Sequence, residues 1–476
     1  MLPNWTKQTL SPNGWFWIAL FCFLPLHVSA VVLDKWFVLP PNPIGDGPEY
    51  EAIGYGLSQA HGWSTSYSDP QWRSVYEFAQ SDVAGPDYHV QLARVGPVAA
   101  DTNRPPLLPL CIATVYRFVP RGPIAFGTIR IGLAVCLSVG CALAVAWGVA
   151  LVNERNKGSA LLTNAVGAGI IAIVFSERNL RNYTTDFLTE PIALVLTQAF
   201  IMVAWYGSKR GAWGWAISTG ILFAGMVFCR SLYVLWLPLM IPWLWIGYRL
   251  TSQNSSASST GPPRMAPHRW ILVCTATFCL MGSLWWCRNC WVLDSFHPLG
   301  TKGATTLMGG YCDEAFIAGG EWQFAPEKAL RIKLDSTIDI RSASASDLRE
   351  LELEMGRQAH AQVLKWTMDN ILSLPQLVLK RIVTEWNPYS GKAMVLKLLA
   401  LIGVLTLLRT NAVALFWITG PLVINTVVVA ATYSVGGRFL VPTYGSIYIL
   451  AAFGTANILE FCSKGGESRK PRSGLF

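Results

Sequence analysis

The residues best suited to chemistry in this chain are arginines that stand beside long apolar segments, together with two carboxylates near such segments. Arginine suits a phosphate because its planar guanidinium binds oxyanions through paired hydrogen bonds and stays charged. Together the arginines predict a phosphate site at the depth of lipid headgroups, although each could instead extend singly to a headgroup. They are Arg104, Arg130, Arg178, Arg181, Arg230, Arg288 and Arg438.

Asp46 is the candidate general base. Asp46 and Tyr50 are four positions apart, so on a helix they share one face, and a carboxylate there could accept a proton from a hydroxyl group. Asp46 and Glu49 also have the spacing of a helix-capping box, so a cap and a catalyst both remain open. Glu190 precedes Pro191, where an acid either contributes to the site or complements a helix N-terminus.

The composition predicts that these residues lie in a membrane protein. Of the 476 residues, 52% are hydrophobic and 14% are charged, against about 25% charged residues in ordinary soluble domains. The net charge of +9 is dispersed over short loops between apolar segments, which argues against nucleic acid as a partner. The sequence therefore predicts an integral protein whose main surroundings are the lipid bilayer.

Ten apolar segments are candidates for membrane spans, since a helix needs about 20 mostly apolar residues to cross the hydrocarbon. They predict an all-α, polytopic transmembrane fold with about ten spans. Segment 105–119 carries three prolines and Arg117, so it is expected to lie at the membrane surface or to be re-entrant. The spans are expected near 15–38, 124–152, 159–176, 187–206, 212–229, 231–250, 270–287, 393–408, 411–432 and 438–459.

Lysine and arginine in the short loops set the orientation, because cytoplasmic loops carry an excess of these residues. With the N-terminus inside, the short basic loops lie inside and the two long loops lie outside. The chain is then a single membrane domain with a basic cytoplasmic tail. The expected parts are the domain at 1–459, its first outer loop with interfacial helices at 39–123, a cytoplasmic linker at 251–269, a second outer loop at 288–392 and the tail at 460–476.

The first apolar segment has a second interpretation. Val28-Ser29-Ala30 resembles the small-residue site at which a signal peptide is cleaved. The apolar stretch continues through Val31, Val32 and Leu33, beyond such a cut, which favours an uncleaved membrane anchor.

Most of the 11 cysteines fall in apolar segments, where they pack as small hydrophobic residues. Cys287 and Cys290 form a CxxC pair without a second pair of ligands, so a metal site is an alternative rather than the expectation. A disulfide between Cys290 and Cys312 is conceivable if the loop that holds Cys312 is extracytoplasmic.

The second outer loop contains one strong helix pattern. Asp347 and Glu350 have the spacing of a capping box. Apolar residues recur at helical spacing from Leu348 to Trp366, which predicts an amphipathic helix. Its expected role is to lie on the membrane or to cover the site.

Six short motifs follow one another along the chain. They are Asp46-x-x-x-Tyr50, Arg104-Pro105-Pro106, Thr189-Glu190-Pro191, Arg230 with Pro238, Trp286-Cys287-Arg288-Asn289 and Gly437-Arg438-Phe439. In this order, and with this topology, the sequence resembles the GT-C superfamily of glycosyltransferases. It is similar in particular to the bacterial group that contains relatives of dolichyl-phosphate-mannose protein mannosyltransferases and aminoarabinose transferases. Segment 62–101, which looks like an insertion, and Cys290 in place of an aromatic residue depart from that pattern.

The resemblance implies a GT-C fold and an inverting transfer of a sugar from a polyprenyl-phosphate donor, without a metal or other cofactor. The acceptor would be a hydroxyl group of a protein, lipid or glycan outside a bacterial inner membrane. Asp46 would be the general base, and Arg104, Arg230 and Arg288 would carry the donor phosphate. The full set of substrate-binding residues would be Tyr50, Arg104, Glu190, Arg230, Arg288 and Arg438.

A multi-spanning transporter or lipid flippase is the alternative function. Transporter sites usually lie near the middle of the membrane on interrupted helices, often in paired repeats. The sequence shows no internal repeat, and an apolar centre such as 131–152 carries no charged residue. Sugar transfer is therefore the leading hypothesis.

Overall fold

A computed structural model describes most of the chain. Apart from one antiparallel pair of two-residue strands, β1 (Ser64–Thr65) and β2 (Ala99–Ala100), the regular structure of the described residues is helical. The all-α class predicted from the apolar segments is therefore confirmed. The described residues are 10–42, 45–65, 69–83, 99–100, 102–155, 160–177, 179–254, 264–338 and 343–467.

Nineteen α-helices and three 3-10 helices follow one another in this part of the chain. The α-helices are α1 (Pro12–Val32), α2 (Gly47–Ser58), α3 (Pro70–Val83), α4 (Leu107–Phe118), α5 (Pro123–Arg155), α6 (Ala160–Ser176), α7 (Asn179–Thr185), α8 (Glu190–Arg210), α9 (Trp213–Cys229), α10 (Leu237–Asn254), α11 (Pro267–Leu293), α12 (Lys302–Gly310), α13 (Asp313–Ile317), α14 (Ala325–Asp335), α15 (Ala345–Asp369), α16 (Leu374–Trp386), α17 (Gly391–Thr410), α18 (Ala412–Ala431) and α19 (Tyr444–Glu467). The 3-10 helices are Ser231–Trp236, Ile371–Ser373 and Arg438–Thr443.

Eight helical segments of the described chain are long and apolar enough to cross a membrane. They coincide with eight of the ten predicted spans and make the chain an integral, multi-pass membrane protein. The other two predictions correspond to shorter apolar helices, Leu162–Ser176 and Trp213–Cys229. Segment 105–119 forms only the 12-residue α4. At about 1.5 Å per residue α4 is too short to cross.

One hydrophobic core joins the helices from α1 to α11 with α17, α18 and α19. α1 packs along α5, and its buried residues recur every fourth position from Trp15 through Ala19 and Phe23 to His27. His27 Nδ1 lies 2.9 Å from Ser138 Oγ on α5. The first apolar segment thus contributes to the core.

The first outer loop is organised around the buried carboxylate of Glu51. Its oxygens accept hydrogen bonds from the side chains of Trp72, Tyr76 and Tyr116. Arg121 completes the network with an ion pair of 2.6 Å. A buried charge is tolerated when it is paired and hydrogen-bonded. These contacts tie α2, α3 and α4 into one unit.

Several sequence predictions fall wholly or partly outside the described residues. Arg178 is one of them, as are residues 255–263 of the linker and residues 468–476 of the tail. Of the expected insertion at 62–101, the described parts form α3 and the two short strands.

The second outer loop has a small core of its own. It consists of Met308 on α12, Leu330 and Leu334 on α14, and Met355 and Ala359 on α15. The predicted amphipathic helix therefore exists as α15. Its buried residues pack against the other helices of this loop.

Two predictions for this loop need correction. α15 begins at Ala345, because Ser344 and Asp347 form the reciprocal capping box, with contacts of 3.2 and 2.8 Å. Asp347 is therefore the third helical residue and not the cap. Cys290 and Cys312 are both free thiols. Cys312 Sγ instead accepts the backbone N–H of Ala315 at the start of α13.

Candidate functional site

Six charged side chains from five parts of the chain form one row of ion pairs beside the outer loops. Carboxylates and guanidiniums alternate along the row, so every interior member has a partner of opposite charge on each side. We call this row the charge cluster. In order, its members are Glu49, Arg104, Asp46, Arg438, Glu190 and Arg230.

Asp46 stands in the middle of the charge cluster. Its Oδ1 lies 2.7 Å from Arg104 Nη2, and its Oδ2 lies 3.0 Å from Arg438 Nη2. Asp46 occupies the N-cap position of α2, yet its side chain accepts no capping hydrogen bond. The carboxylate therefore joins two guanidiniums and leaves the capping role unfilled.

Arg104 contacts one whole turn of α2. Besides Asp46, its Nε lies 2.5 Å from Glu49 Oε2. Its guanidinium also lies over the Tyr50 ring, 5.1 Å from the centroid. Because residues four apart share a helix face, one side chain placed before α4 can hold the start of α2 at several points.

Glu190 forms the buried end of the charge cluster. It is the first residue of α8, and its Oε1 accepts hydrogen bonds from Arg230 Nη1 at 3.0 Å and from Arg438 Nε. Its Oε2 has no hydrogen-bond partner among the described residues. The Arg230 guanidinium also lies over the Phe439 ring, 4.9 Å from the centroid. Glu190 thus fixes two guanidiniums from the protein interior.

The members of the charge cluster differ in how far their side chains are exposed to solvent. The side chains of Asp46 and Glu49 are 30% and 31% exposed, that of Arg438 is 23% exposed and that of Glu190 is 0% exposed. A ligand that approaches from outside therefore meets Asp46, Glu49 and Arg438 first.

Ion pairing controls the protonation of the first-loop carboxyl groups. Burial alone would raise the pKa of Asp46, but the guanidiniums of Arg104 and Arg438 outweigh burial and hold that pKa well below its usual range. Burial also acts to raise the pKa of Glu49, and Arg104 lowers it to about 2. Hydrogen bonds and cations that favour the charged form act in this direction. Asp46 is therefore a weak base while both guanidiniums remain in place.

Arg288 contacts a residue that lines the same opening as Arg104. Its Nη2 donates to the backbone oxygen of Trp63 at 3.0 Å, and its guanidinium lies 4.9 Å from the centroid of the Trp285 ring. Trp285 and Arg104 line the same small opening between the segment before α4, α9 and α11. Arg288 is thus next to the opening that leads to Arg104.

The turn that carries Arg438 is held from the second outer loop. Glu385 on α16 is buried and accepts hydrogen bonds from the Ser434 hydroxyl at 2.8 Å and from the Leu440 N–H at 3.1 Å. Gly437 has a φ of 83°, in the left-handed region that glycine adopts readily. These contacts set the direction in which Arg438 leaves the backbone.

Arg130 is not part of the phosphate site predicted from the sequence. It is fully buried on α5 and donates hydrogen bonds to the backbone oxygens of Phe37, Leu39, Pro40 and Thr185. It therefore joins the segment after α1 to the corner before α8. From the sequence alone, an arginine at the end of a span could bind a phosphate or join backbone segments. The carbonyl groups that Arg130 contacts come from distant parts of the chain, so the sequence does not reveal them.

Asp186 stands at the same corner. Its Oδ1 accepts the N–H groups of Asn42 at 3.2 Å and Phe187 at 2.8 Å. A Cβ on Gly47 would lie 2.6 Å from this oxygen, so the carboxylate packs directly against the start of α2. Burial raises the pKa of Asp186 to about 6, although both amides and Arg130 act against it.

The geometry links six of the seven candidate site residues through successive contacts, and Arg288 contacts Trp285 at the opening that Arg104 lines. Sequence reasoning missed other residues, because their partners are far away in the chain. Lys302 is an example: its charge helps to lower the pKa of Asp46, and its Nζ lies 2.9 Å from Glu327 Oε1. The missed residues are Asp186, Lys302, Glu385 and Tyr433, whose ring meets that of Phe439.

No family model and no curated protein matches the chain. The GT-C resemblance therefore stays a hypothesis drawn from short motifs, and the chemistry of the site has to be argued from its geometry. Guanidiniums that bind a carboxylate from two sides can also bind a phosphate, because its oxygens have a similar arrangement. The charge cluster is a candidate site for an anionic group with a carboxylate beside it.

Proposed function

We propose that this protein is a membrane glycosyltransferase of the GT-C type, which moves a sugar from a polyprenyl-phosphate donor to a hydroxyl group outside the membrane. The observation that carries the proposal is the position of Asp46 between Arg104 and Arg438, at 2.7 and 3.0 Å. Such a transfer needs a base close to groups that neutralise a departing phosphate.

The donor phosphate takes the place of the Asp46 carboxylate between the two guanidiniums. Arginine binds a phosphate or a carboxylate through the same paired hydrogen bonds. Once the phosphate occupies Arg104 and Arg438, Asp46 loses the contacts that hold its pKa low. Binding of the donor thus makes Asp46 a stronger base.

The transfer is a single displacement at the anomeric carbon. The acceptor oxygen bonds to that carbon, its proton passes to Asp46, and the bond to the phosphate breaks with both electrons on the phosphate oxygen. Attack and departure on opposite faces invert the configuration. A base in position contributes about 10²- to 10⁴-fold, and the guanidiniums balance the charge on the polyprenyl phosphate.

The other candidate residues have supporting roles. Glu190 is buried, so it orients Arg230 and Arg438 and does not meet the acceptor. Tyr50 contacts Arg104, and Arg288 stands beside the opening that Arg104 lines. We assign Arg288 to the approach of the donor phosphate from the outer leaflet of a bacterial inner membrane.

Transfer can be measured with the purified protein in lipid nanodiscs. The donors are radiolabelled polyprenyl-phosphate hexoses and pentoses, the acceptor is a total cell-envelope extract, and the readout is the release of polyprenyl phosphate. Asp46→Asn should retain donor binding and lose about 10²-fold or more of the rate. Glu350→Gln, at an exposed carboxylate of α15, is the matched control. An undiminished rate in Asp46→Asn would remove Asp46 from the mechanism.

The same materials separate transfer from transport. A flippase moves the intact donor between leaflets, so the sugar–phosphate bond survives while the donor becomes accessible on the other side. In sealed vesicles, a protein-dependent change of leaflet without release of polyprenyl phosphate would favour the flippase and overturn the proposal of a transferase.

A further inference from the structure

α16 buries its charged residues and exposes apolar ones, which is the opposite of a helix on a water-exposed surface. Its buried face carries Leu377, Arg381 and Glu385, at successive intervals of four residues. Its outward face carries Leu379 and Val383, which are 61% and 60% exposed. A surface helix in water directs its charged residues outward. The pattern of α16 therefore indicates an apolar medium on its outer side.

The charges of α16 all find partners within the protein. Arg381 donates to the backbone oxygens of Gly310 at 2.7 Å and Ala430 at 3.0 Å. Glu385 accepts the hydrogen bonds that hold the turn of Arg438, and Lys380 donates to the Phe316 backbone oxygen at 2.8 Å. Because a buried charge without partners costs free energy, this inward arrangement needs specific contacts and is not incidental.

Apolar exposure continues on both sides of α16 in the chain. In the turn before it, Ile371 and Leu372 are 64% and 93% exposed. After it, α17 begins only a few residues later. α17 is one of the candidate spans, and only 11% of its apolar window is buried inside the protein. The outward side of α17 must therefore face lipid, and the exposed side of α16 leads directly into it.

We propose that α16 and the turn before it lie in the outer leaflet of the bilayer, with Leu372, Leu379 and Val383 among the acyl chains. Lipid is the occupant because the face adjoins a helix that spans the membrane and directs no charged side chain outward. The inference concerns the surroundings of the second outer loop and does not depend on the proposed function.

This placement connects the bilayer to the charge cluster. Glu385 lies on the inner side of α16 and holds the turn from which Arg438 extends. A helix seated in the outer leaflet therefore fixes Arg438 near the depth of the lipid headgroups.

Photo-crosslinking in lipid nanodiscs tests the placement with the unmodified protein. The nanodiscs contain phosphatidylethanolamine, phosphatidylglycerol and a phospholipid with a diazirine in its acyl chain. After irradiation, peptides that cover 374–386 should carry acyl adducts at a level similar to those that cover 391–410. Peptides from the start of α15 should carry few. Adducts at 374–386 no more frequent than at the start of α15 would overturn the proposal.

A pair of variants adds a matched comparison. Leu379→Lys with Val383→Lys places two charges on the proposed lipid face and should reduce acyl adducts at 374–386 several-fold. Glu350→Lys changes the net charge by the same two units at an exposed position of α15, and it should leave most of them. Equal labelling of the two proteins would contradict the assignment of the face.

Discussion

Arg438 Nη2 lies 3.0 Å from Asp46 Oδ2, although 392 positions separate the two residues in the chain. The Nε atom of the same guanidinium donates to Glu190 at the start of α8. One side chain therefore holds a carboxylate of the first outer loop and a carboxylate of a spanning helix at a fixed separation. The site depends on this bridge more than on any contact within a single loop.

Arg438→Lys should weaken donor binding by about 10- to 100-fold, because an ammonium group cannot hold the Glu190 carboxylate and a phosphate in the planar geometry of a guanidinium. Equilibrium binding of a labelled polyprenyl-phosphate sugar in nanodiscs measures this. The control is Arg357→Lys, since Arg357 is 74% exposed and pairs with Glu354 on the surface of α15. Equal affinities of the two variants would contradict the bridging role.

Glu49 should make the protein sensitive to acid. Its pKa is lowered to about 2, against about 4.3 in an unfolded chain. The stabilisation is therefore complete above the unfolded value and is lost as the pH falls towards 2. Partial exposure keeps the effect small. On acidification, the unfolding temperature of Glu49→Gln should fall less than that of Glu350→Gln. Equal decreases in the two variants would refute the contribution of the ion pair.

Asp186 should show the opposite pH dependence. Its pKa is raised to about 6, so the folded protein binds this proton more tightly than an unfolded chain, where the pKa is about 3.9. The stability from this group rises as the pH falls through 6 and is lost above it. Asp186→Asn keeps an oxygen for Asn42 and Phe187 and carries no charge. It should therefore unfold at a higher temperature than the parent protein at neutral pH; a lower temperature would count against buried-charge strain.

Gly47→Ala should destabilise the protein by about 1–3 kcal/mol, the usual cost of overpacking. The new Cβ would lie 2.6 Å from Asp186 Oδ1 and 2.8 Å from Pro41 Cβ. Gly132→Ala is the control, since no atom lies within 4 Å of its added Cβ and alanine favours the helix by about 1 kcal/mol. Thermal unfolding in detergent compares them. The packing at Gly47 would be disproved if both variants matched the parent protein.

The spans could be predicted from the sequence because the length of an apolar segment is a local property. Pro12–Val32 and Gly391–Thr410 are examples in which one run of residues decides the outcome. The contact of Asp46 with Arg104 had a local signal as well, since both flank interfacial helices of one loop. For Glu190 and Arg438, the sequence predicted only that they lie on the same side of the membrane as Asp46 and Arg104. It did not predict which side chains pair.

The rest of the site depends on contacts between residues that are far apart in the chain, and the spacing of motifs in the sequence does not predict them. Arg130 looks like another candidate for phosphate binding until four backbone oxygens are seen around its guanidinium. Glu385 acts on the turn of Arg438 from another helix. Asp186 precedes Glu190 by four positions, and only the fold shows that its oxygen meets the start of α2.

The alternation of three carboxylates with three guanidiniums leaves the charge cluster without net charge. A small anion dissolved in water therefore gains little long-range attraction, and it has to compete with an internal partner that is already in place. A ligand confined to the bilayer has a high effective concentration at the site. The neutrality of the charge cluster without a ligand is thus enough to disfavour soluble phosphates, and no pocket has to be shaped to exclude them.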